Sequence, residues 1–194
     1  SSTDIGYDLF DRFGSQDPTH EQLVSGEISI EEYWRRTVRT LEMVPTGAIL
    51  DEYLASIPPR RGIADLFAVA ERDDVSFTIL SDGLDYYVDR WLEIFDVPDV
   101  PVICNATSID PDGALAVSFP YGAEECNCKS AVCKRNVVVT RSAPDEPIVY
   151  IGDGLSDFCP VTYADVIFAR GELAAHCTAE GLPHHSWRTL DEVA

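Results

Sequence analysis

The hydrophobic pattern of this 194-residue chain changes period near residue 74. Before that point it reads only as helix: IGYDLFDRF, HEQLVSG, SIEEYWRRTVRTLEMV, GAILDEYLASI and GIADLFAVAERDD, with no strand between them. Thr3 and Ser29 stand as N-caps, the second with Glu32 three residues on as a capping box. Apolar residues recur at helical spacing through Ile30, Trp34, Val38 and Leu41, and Pro58-Pro59 separates the last two helices.

After Asp74 short apolar, β-branched runs alternate with helical ones. VSFTIL reads as a buried strand closed by SDG, and a helix follows from about Tyr86 to Phe95. VICNAT is a second strand, PDG a hairpin turn and ALAVSFP the return strand. A cysteine-rich loop leads to a helix near Val132 to Arg141. Then come IVYIG (strand), LSDFCPVTYA (helix), VIFA (strand), GELAAHCTAEG (helix) and a terminal SW as one more strand. Strand, helix, strand with short connections implies right-handed crossovers and a parallel sheet. The expectation is an α/β core over 74–194 with a helical subdomain, 1–73, beside it.

Charge narrows the partners. With 34 acidic and 14 basic residues the net charge is −20, and the only lysines are Lys129 and Lys134. A positive face for nucleic acid or an anionic membrane is therefore not expected. An acidic, lysine-poor surface suits a high-salt cytoplasm, where screening shortens to about 3 Å at molar salt, and a halophilic source is one expectation. No run of 18 apolar residues and no charged-then-apolar leader is present, so the expected location is cytoplasmic and the six cysteines are expected as reduced thiols. A monomer or homodimer is expected.

In open α/β sheets ligands sit at the carboxyl ends of strands, which picks out two loops. In GDGLSD, residues 152–157, Gly152 and Gly154 would let the chain turn off the strand, leaving Asp153 and Asp157 four residues apart. Two carboxylates there suit Mg²⁺, a hard cation that pairs one or two carboxylates with a substrate phosphate; the alternative is a plain turn with Asp157 as a helix-start acid. In SDG, residues 81–83, the Ser81 hydroxyl and the amides of Asp82 and Gly83 would hydrogen-bond an anion, or simply make a strand-to-helix turn. Lys134, beside a predicted helix start, would set its ammonium against a phosphoryl oxygen and a carboxylate, with Lys129 its competitor. Cys126, Cys128 and Cys133 have the spacing C-x-C-x4-C rather than the paired C-x2-C of zinc sites, and no fourth ligand is near them in sequence; His176, His184 and His185 are more than forty residues on. The histidines read as incidental, His184 and His185 lying in a loop before the last strand.

Serine, lysine and paired aspartates in that order resemble motifs two, three and four of the haloacid dehalogenase superfamily of phosphatases. ILSDGLDYYVDRWL resembles the second-motif segment of its phosphoserine-phosphatase-like branch, AVCKRNVV the lysine motif, and VYIGDGLSDFCPVTYADVIFARGELAAHC the fourth motif through the strand and helix beyond it. Within that branch the cysteine-rich approach to the lysine and FAR after the last strand look most like the methionine-salvage phosphatases and their phosphocholine/phosphoethanolamine phosphatase relatives. The resemblance covers nearly the whole chain. It implies an α/β, Rossmann-like parallel sheet with helices on both faces and an inserted helical cap. It further implies a Mg²⁺-dependent phosphomonoesterase acting on a small phosphorylated metabolite, with no nucleic-acid or membrane partner. Asp153 and Asp157 would hold the metal, Ser81, Asp82, Gly83 and Lys134 the phosphate, and Asp4 at the start of the cap an amine or hydroxyl of the substrate. Tyr86 and Tyr87 would line the pocket or pack the helix core.

The family's opening D-x-D-x-T, whose first Asp attacks phosphorus, has no counterpart here. Asp8-Leu9-Phe10-Asp11 lies in an amphipathic helix with the wrong spacing, and SSTD resembles the stretch immediately after that motif. The expectation is an aspartyl-phosphate mechanism whose nucleophile precedes Ser1, so that the 194 residues alone are inactive. The alternatives are a catalytically inactive phosphate-binding or regulatory homologue, or a phosphotransferase or mutase on the same scaffold.

Overall fold

A computed structural model describes residues 1, 4–15, 19–41, 43–97, 99–122, 126–128, 130–143 and 145–194. In chain order its elements are α1 (Ile5–Phe13), α2 (Thr19–Val24), α3 (Ile30–Thr37), α4 (Ala48–Ala55), α5 (Ile63–Arg72), β1 (Ile79–Leu84), α6 (Asp85–Ile94), β2 (Val102–Ile109) and β3 (Leu115–Ser118), followed by α7 (Lys134–Arg141), β4 (Val149–Gly152), β5 (Val166–Ala169), α8 (Gly171–Glu180) and β6 (His185–Ser186). Among the described residues no helix is long and apolar enough to cross a membrane. The chain divides into two compact units. One comprises Ser1–Arg60, Ser76–Gly122 and Lys129–Val132, the other Arg61–Val75, Ala123–Cys128 and Cys133–Ala194.

In the first unit, Ser29 caps α3 by accepting from the Glu32 amide at 3.2 Å, as the sequence suggests, while the Glu32 carboxylate pairs with Arg36 at 2.6 Å. Asp4 caps α1, accepting from the Tyr7 amide at 2.9 Å; Thr3 lies outside the described residues. The expected long helix from Ser29 to Val44 ends early, in a single 3-10 turn at Val38–Thr40. The Thr40 hydroxyl donates to the Thr37 carbonyl at 2.7 Å, and such side-chain bonds compete with helix propagation. Leu9 and Phe10 of α1 face a core that also takes in Trp34, Tyr53, Leu54, Leu84, Tyr87 and Trp91. Asp8 and Asp11 are thereby left exposed, and Asp8 accepts a hydrogen bond from the Tyr53 hydroxyl at 3.0 Å. β1 pairs in parallel with β2, and β2 antiparallel with β3 across the expected turn, where Gly113 adopts φ 83°.

The second unit carries a parallel sheet in the order β4-β5-β6, with Val149 opposite Val166, Gly152 opposite Ala169 and Ala169 also opposite Ser186. α5 starts from Gly62 at φ 86°, where a Cβ would collide with the backbone of Asp191; the Leu190 amide donates to the Arg61 carbonyl beside it at 2.8 Å. The stretch expected as the helix LSDFCPVTYA is instead two 3-10 turns, Leu155–Asp157 and Pro160–Tyr163. Pro160 brings no amide hydrogen, and the Asp157 side chain is drawn back to the amides of Asp153 and Gly154, so a continuous ladder does not form. The last strand falls on His185–Ser186, one residue before the expected SW. Trp187 is buried with the Arg170 guanidinium 5.0 Å above its ring.

Candidate active site

The loop after β4 is built around one carboxylate. Asp157 is 5% exposed and accepts at both oxygens: Oδ1 from Lys134 Nζ at 2.7 Å and the Tyr150 hydroxyl at 2.8 Å, Oδ2 from the amides of Asp153 and Gly154, each at 3.0 Å. An ionised carboxylate has about four lone-pair directions, and here all are taken. Burial pushes the Asp157 carboxyl up, but the Lys134 ammonium and these hydrogen bonds outweigh it, and the net shift is downward. In this arrangement Asp157, expected as a metal ligand, is engaged by Lys134, Tyr150 and the loop backbone. Gly152 is required for a different reason from a sharp turn. A Cβ there would stand 2.6 Å from Asp157 Oδ2, so the site for the carboxylate is the space glycine leaves. Gly154 has extended backbone, and a Cβ at that position would meet open space, so it carries no such constraint.

Lys134 is the first residue of α7, 8% exposed, and also donates to Ser156 Oγ at 2.8 Å. A cation at a helix N-terminus opposes the macrodipole, and a buried ammonium is costly unless paired. Asp157 offsets both effects. Asp153, by contrast, keeps its side chain 46% exposed, with Arg170 Nε 3.8 Å away. One oxygen-donor carboxylate at the end of a strand thus faces solvent while its neighbour anchors a lysine.

SDG departs from its expected place in a loop, since Ser81, Asp82 and Gly83 lie within β1. Leu80 pairs with Ile103 but Leu84 with Asn105, so the segment bulges out of the ladder. Side chains replace the missing ladder bonds. Asn105, fully buried on β2, donates to the carbonyls of Asp82 at 2.7 Å and Gly83 at 3.1 Å, and the Trp34 indole donates to Asp82 O at 2.7 Å. The Gly83 amide donates to Ser81 Oγ at 3.0 Å, and Asp82 Oδ1 accepts from the Val132 amide at 2.7 Å. Ser81 and the Gly83 amide are thus side by side, while the Asp82 carboxylate ties down the 130–132 segment.

Tyr87 is buried, its ring 6.5 Å from that of Trp34, and Tyr86 donates to the Pro45 carbonyl, so both serve packing in the first unit. Lys129 lies outside the described residues. His176 stacks on Phe158 with ring centroids 4.0 Å apart, and His185 sits exposed on β6. In the second unit Cys126, Cys128 and Cys133 have their sulfurs within 4.8 Å of one another. Burial raises the Cys126 thiol, but hydrogen bonds from the neighbouring cysteines bring it down to about 7. Sequence reasoning missed Asn105, Trp34, Tyr150 and Ser156. A signal existed only for Asn105, an amide side chain in the middle of an otherwise apolar strand.

A family of proteins described as Putative Phosphatase matches residues 19–185. The chain is similar to 2-hydroxy-3-keto-5-methylthiopentenyl-1-phosphate phosphatases: 25% identical over 174 residues to that of Brevibacillus brevis, covering 89% of this chain and 78% of that one. For the Exiguobacterium protein of the same name the identity is 29% over 150 residues, covering 74% and 66%. Among solved structures, a probable phosphoserine phosphatase from Vibrio cholerae superposes with a TM-score of 0.65 at 22% identity over 90% of this chain, which spans about half (52%) of that one. Phosphoserine phosphatase from T. onnurineus gives 0.66 at 14% identity, covering all of this chain and 86% of that one. These likenesses establish the fold: a haloacid-dehalogenase-like α/β architecture.

Proposed function

Because the chain belongs to the Putative Phosphatase family, we propose that the protein carrying it hydrolyses a small phosphomonoester. The observation that carries this reading is the buried Lys134–Asp157 pair set against the exposed Asp153. Holding an ammonium in a desolvated position beside a carboxylate is worthwhile where negative charge develops, and phosphoryl transfer is mostly positioning and charge stabilisation. Lys134 offsets charge on the phosphoryl oxygens. In the first unit, the Ser81 hydroxyl and the Gly83 amide are the groups that exchange their mutual hydrogen bond for contacts to phosphoryl oxygen. Asp153 is the carboxylate whose chemistry fits Mg²⁺, an oxygen-seeking ion that needs only one or two protein ligands beside the phosphate. When bound, that ion neutralises phosphoryl charge. Asp157 and Tyr150 position Lys134. Asp4, exposed at the start of α1, is the proposed contact for an amine or hydroxyl of the leaving group. The phosphoryl group passes to an aspartate and then to water, and no residue of 1–194 is assigned as that aspartate.

The names of the relatives support a small phosphorylated metabolite as substrate. The test is phosphate release by the native protein containing this chain, offered phosphoserine, phosphocholine, pyridoxal phosphate and 2-hydroxy-3-keto-5-methylthiopentenyl-1-phosphate, with Mg²⁺ or with a chelator. Magnesium-dependent release from at least one ester is expected. No release from any of them, with inorganic phosphate still bound, would favour a binding module and overturn the hydrolase.

A further inference from the structure

We infer that Cys126, Cys128, Cys133 and Cys159 form a tetrathiolate site for zinc. The sulfurs of the first three lie within 4.8 Å of one another, and Cys159 Sγ is 3.9 Å from Cys126 Sγ. Zinc–sulfur bonds of about 2.3 Å in a tetrahedron separate their sulfurs by about 3.8 Å, so the first three sulfurs are already grouped closely enough for one ion, and Cys159, in contact with Cys126, is the thiol that would complete the set. It does not have the spacing of a disulfide, about 2.05 Å, and all four thiols are free. The fourth ligand, absent from the local sequence, comes from the turn after β4, 26 residues beyond Cys133.

The surroundings fit thiolates. Zinc with four thiolates carries two negative charges, and the Arg135 guanidinium, close to Cys126, Cys133 and Cys159, offsets them in a chain of net charge −20. Binding forms four zinc–sulfur bonds and releases one proton from each thiol to solvent, with no oxidant or reductant involved. Soft sulfur ligands separate this site from the oxygen-seeking ion assigned to Asp153. The site has a positioning role. Cys133 directly precedes Lys134, and the ion would clamp the start of α7 to the Pro160–Tyr163 turn.

The test is metal content and cobalt spectroscopy on the full native protein, neither of which depends on phosphatase activity. One zinc per chain is expected, replaceable by cobalt to give the intense visible bands and sulfur-to-metal charge transfer of a tetrahedral thiolate site. Cys128→Ser and Cys159→Ser should each weaken zinc binding by about ten- to a hundredfold or more, while Cys104→Ser and Cys177→Ser leave it unchanged. Should the ligand variants not fold, thiol labelling of the unaltered protein decides: zinc must protect four of the six cysteines and a chelator must expose them. Less than a tenth of an equivalent of zinc after preparation in its presence, an octahedral cobalt spectrum, unchanged affinity in Cys159→Ser, or labelling indifferent to the chelator would each overturn the site.

Discussion

Asp157 accepts four hydrogen bonds in a nearly inaccessible position, and its consequences can be worked out from charge alone. Removing one member of a buried ion pair strands the other, at about 3–5 kcal/mol. Asp157→Asn should therefore lose stability of that order in urea unfolding at about pH 7. The pH dependence has a definite sign. The folded-state pKa lies below the ordinary 3.8, so the pair contributes above the unfolded carboxyl's pKa and is lost as pH falls through the folded one. The gap between wild type and Asp157→Asn should then be constant from about pH 7 to 5 and narrow below about pH 4. A gap that widens on acidification would mean that the carboxyl is not held ionised by Lys134.

At the scale of elements, the phosphate-binding segment proposed at Ser81 is shaped by a strand that leaves its own ladder. Asn105 substitutes for the lost pairing, so Asn105→Ala should cost about 1–3 kcal/mol in unfolding free energy, because two carbonyls lose a buried donor. Unfolding within about 0.5 kcal/mol of wild type would show that the bulge holds itself. Strand existence was legible in VICNAT, IVYIG and VIFA, since a short β-branched run has few alternatives; the strand expected as buried at VSFTIL is displaced, only Ile79 and Leu80 of it falling in β1 and none of its residues being buried. The bulge at SDG was not, because its cause is an amide and an indole donated from 22 and 48 positions away. The same holds for the turns at 155–163, where a side chain outcompetes the helix ladder, and for Cys159, whose partners lie before α7. GDGLSD, by contrast, is legible because one loop contains carboxylate, backbone donors and the glycine that makes room for them.

For the whole molecule, the family match covers residues 19–185, and the net charge of −20 leaves few cations for the proposed work on a phosphoryl group. Lys134, one of only two lysines in the chain, is buried against a carboxylate. The central claim is that this ammonium serves the reaction as well as the fold. The most direct measurement is kcat for phosphate release by the native protein against Lys134→Arg and Lys134→Ala, on the best ester, with unfolding monitored for each. A loss of about 10²–10³-fold in Lys134→Ala while the variant remains folded is the predicted result, with Lys134→Arg unable to restore full rate because its planar fork does not fit a compact ammonium's place. A folded Lys134→Ala protein within a few-fold of wild-type kcat would contradict the account.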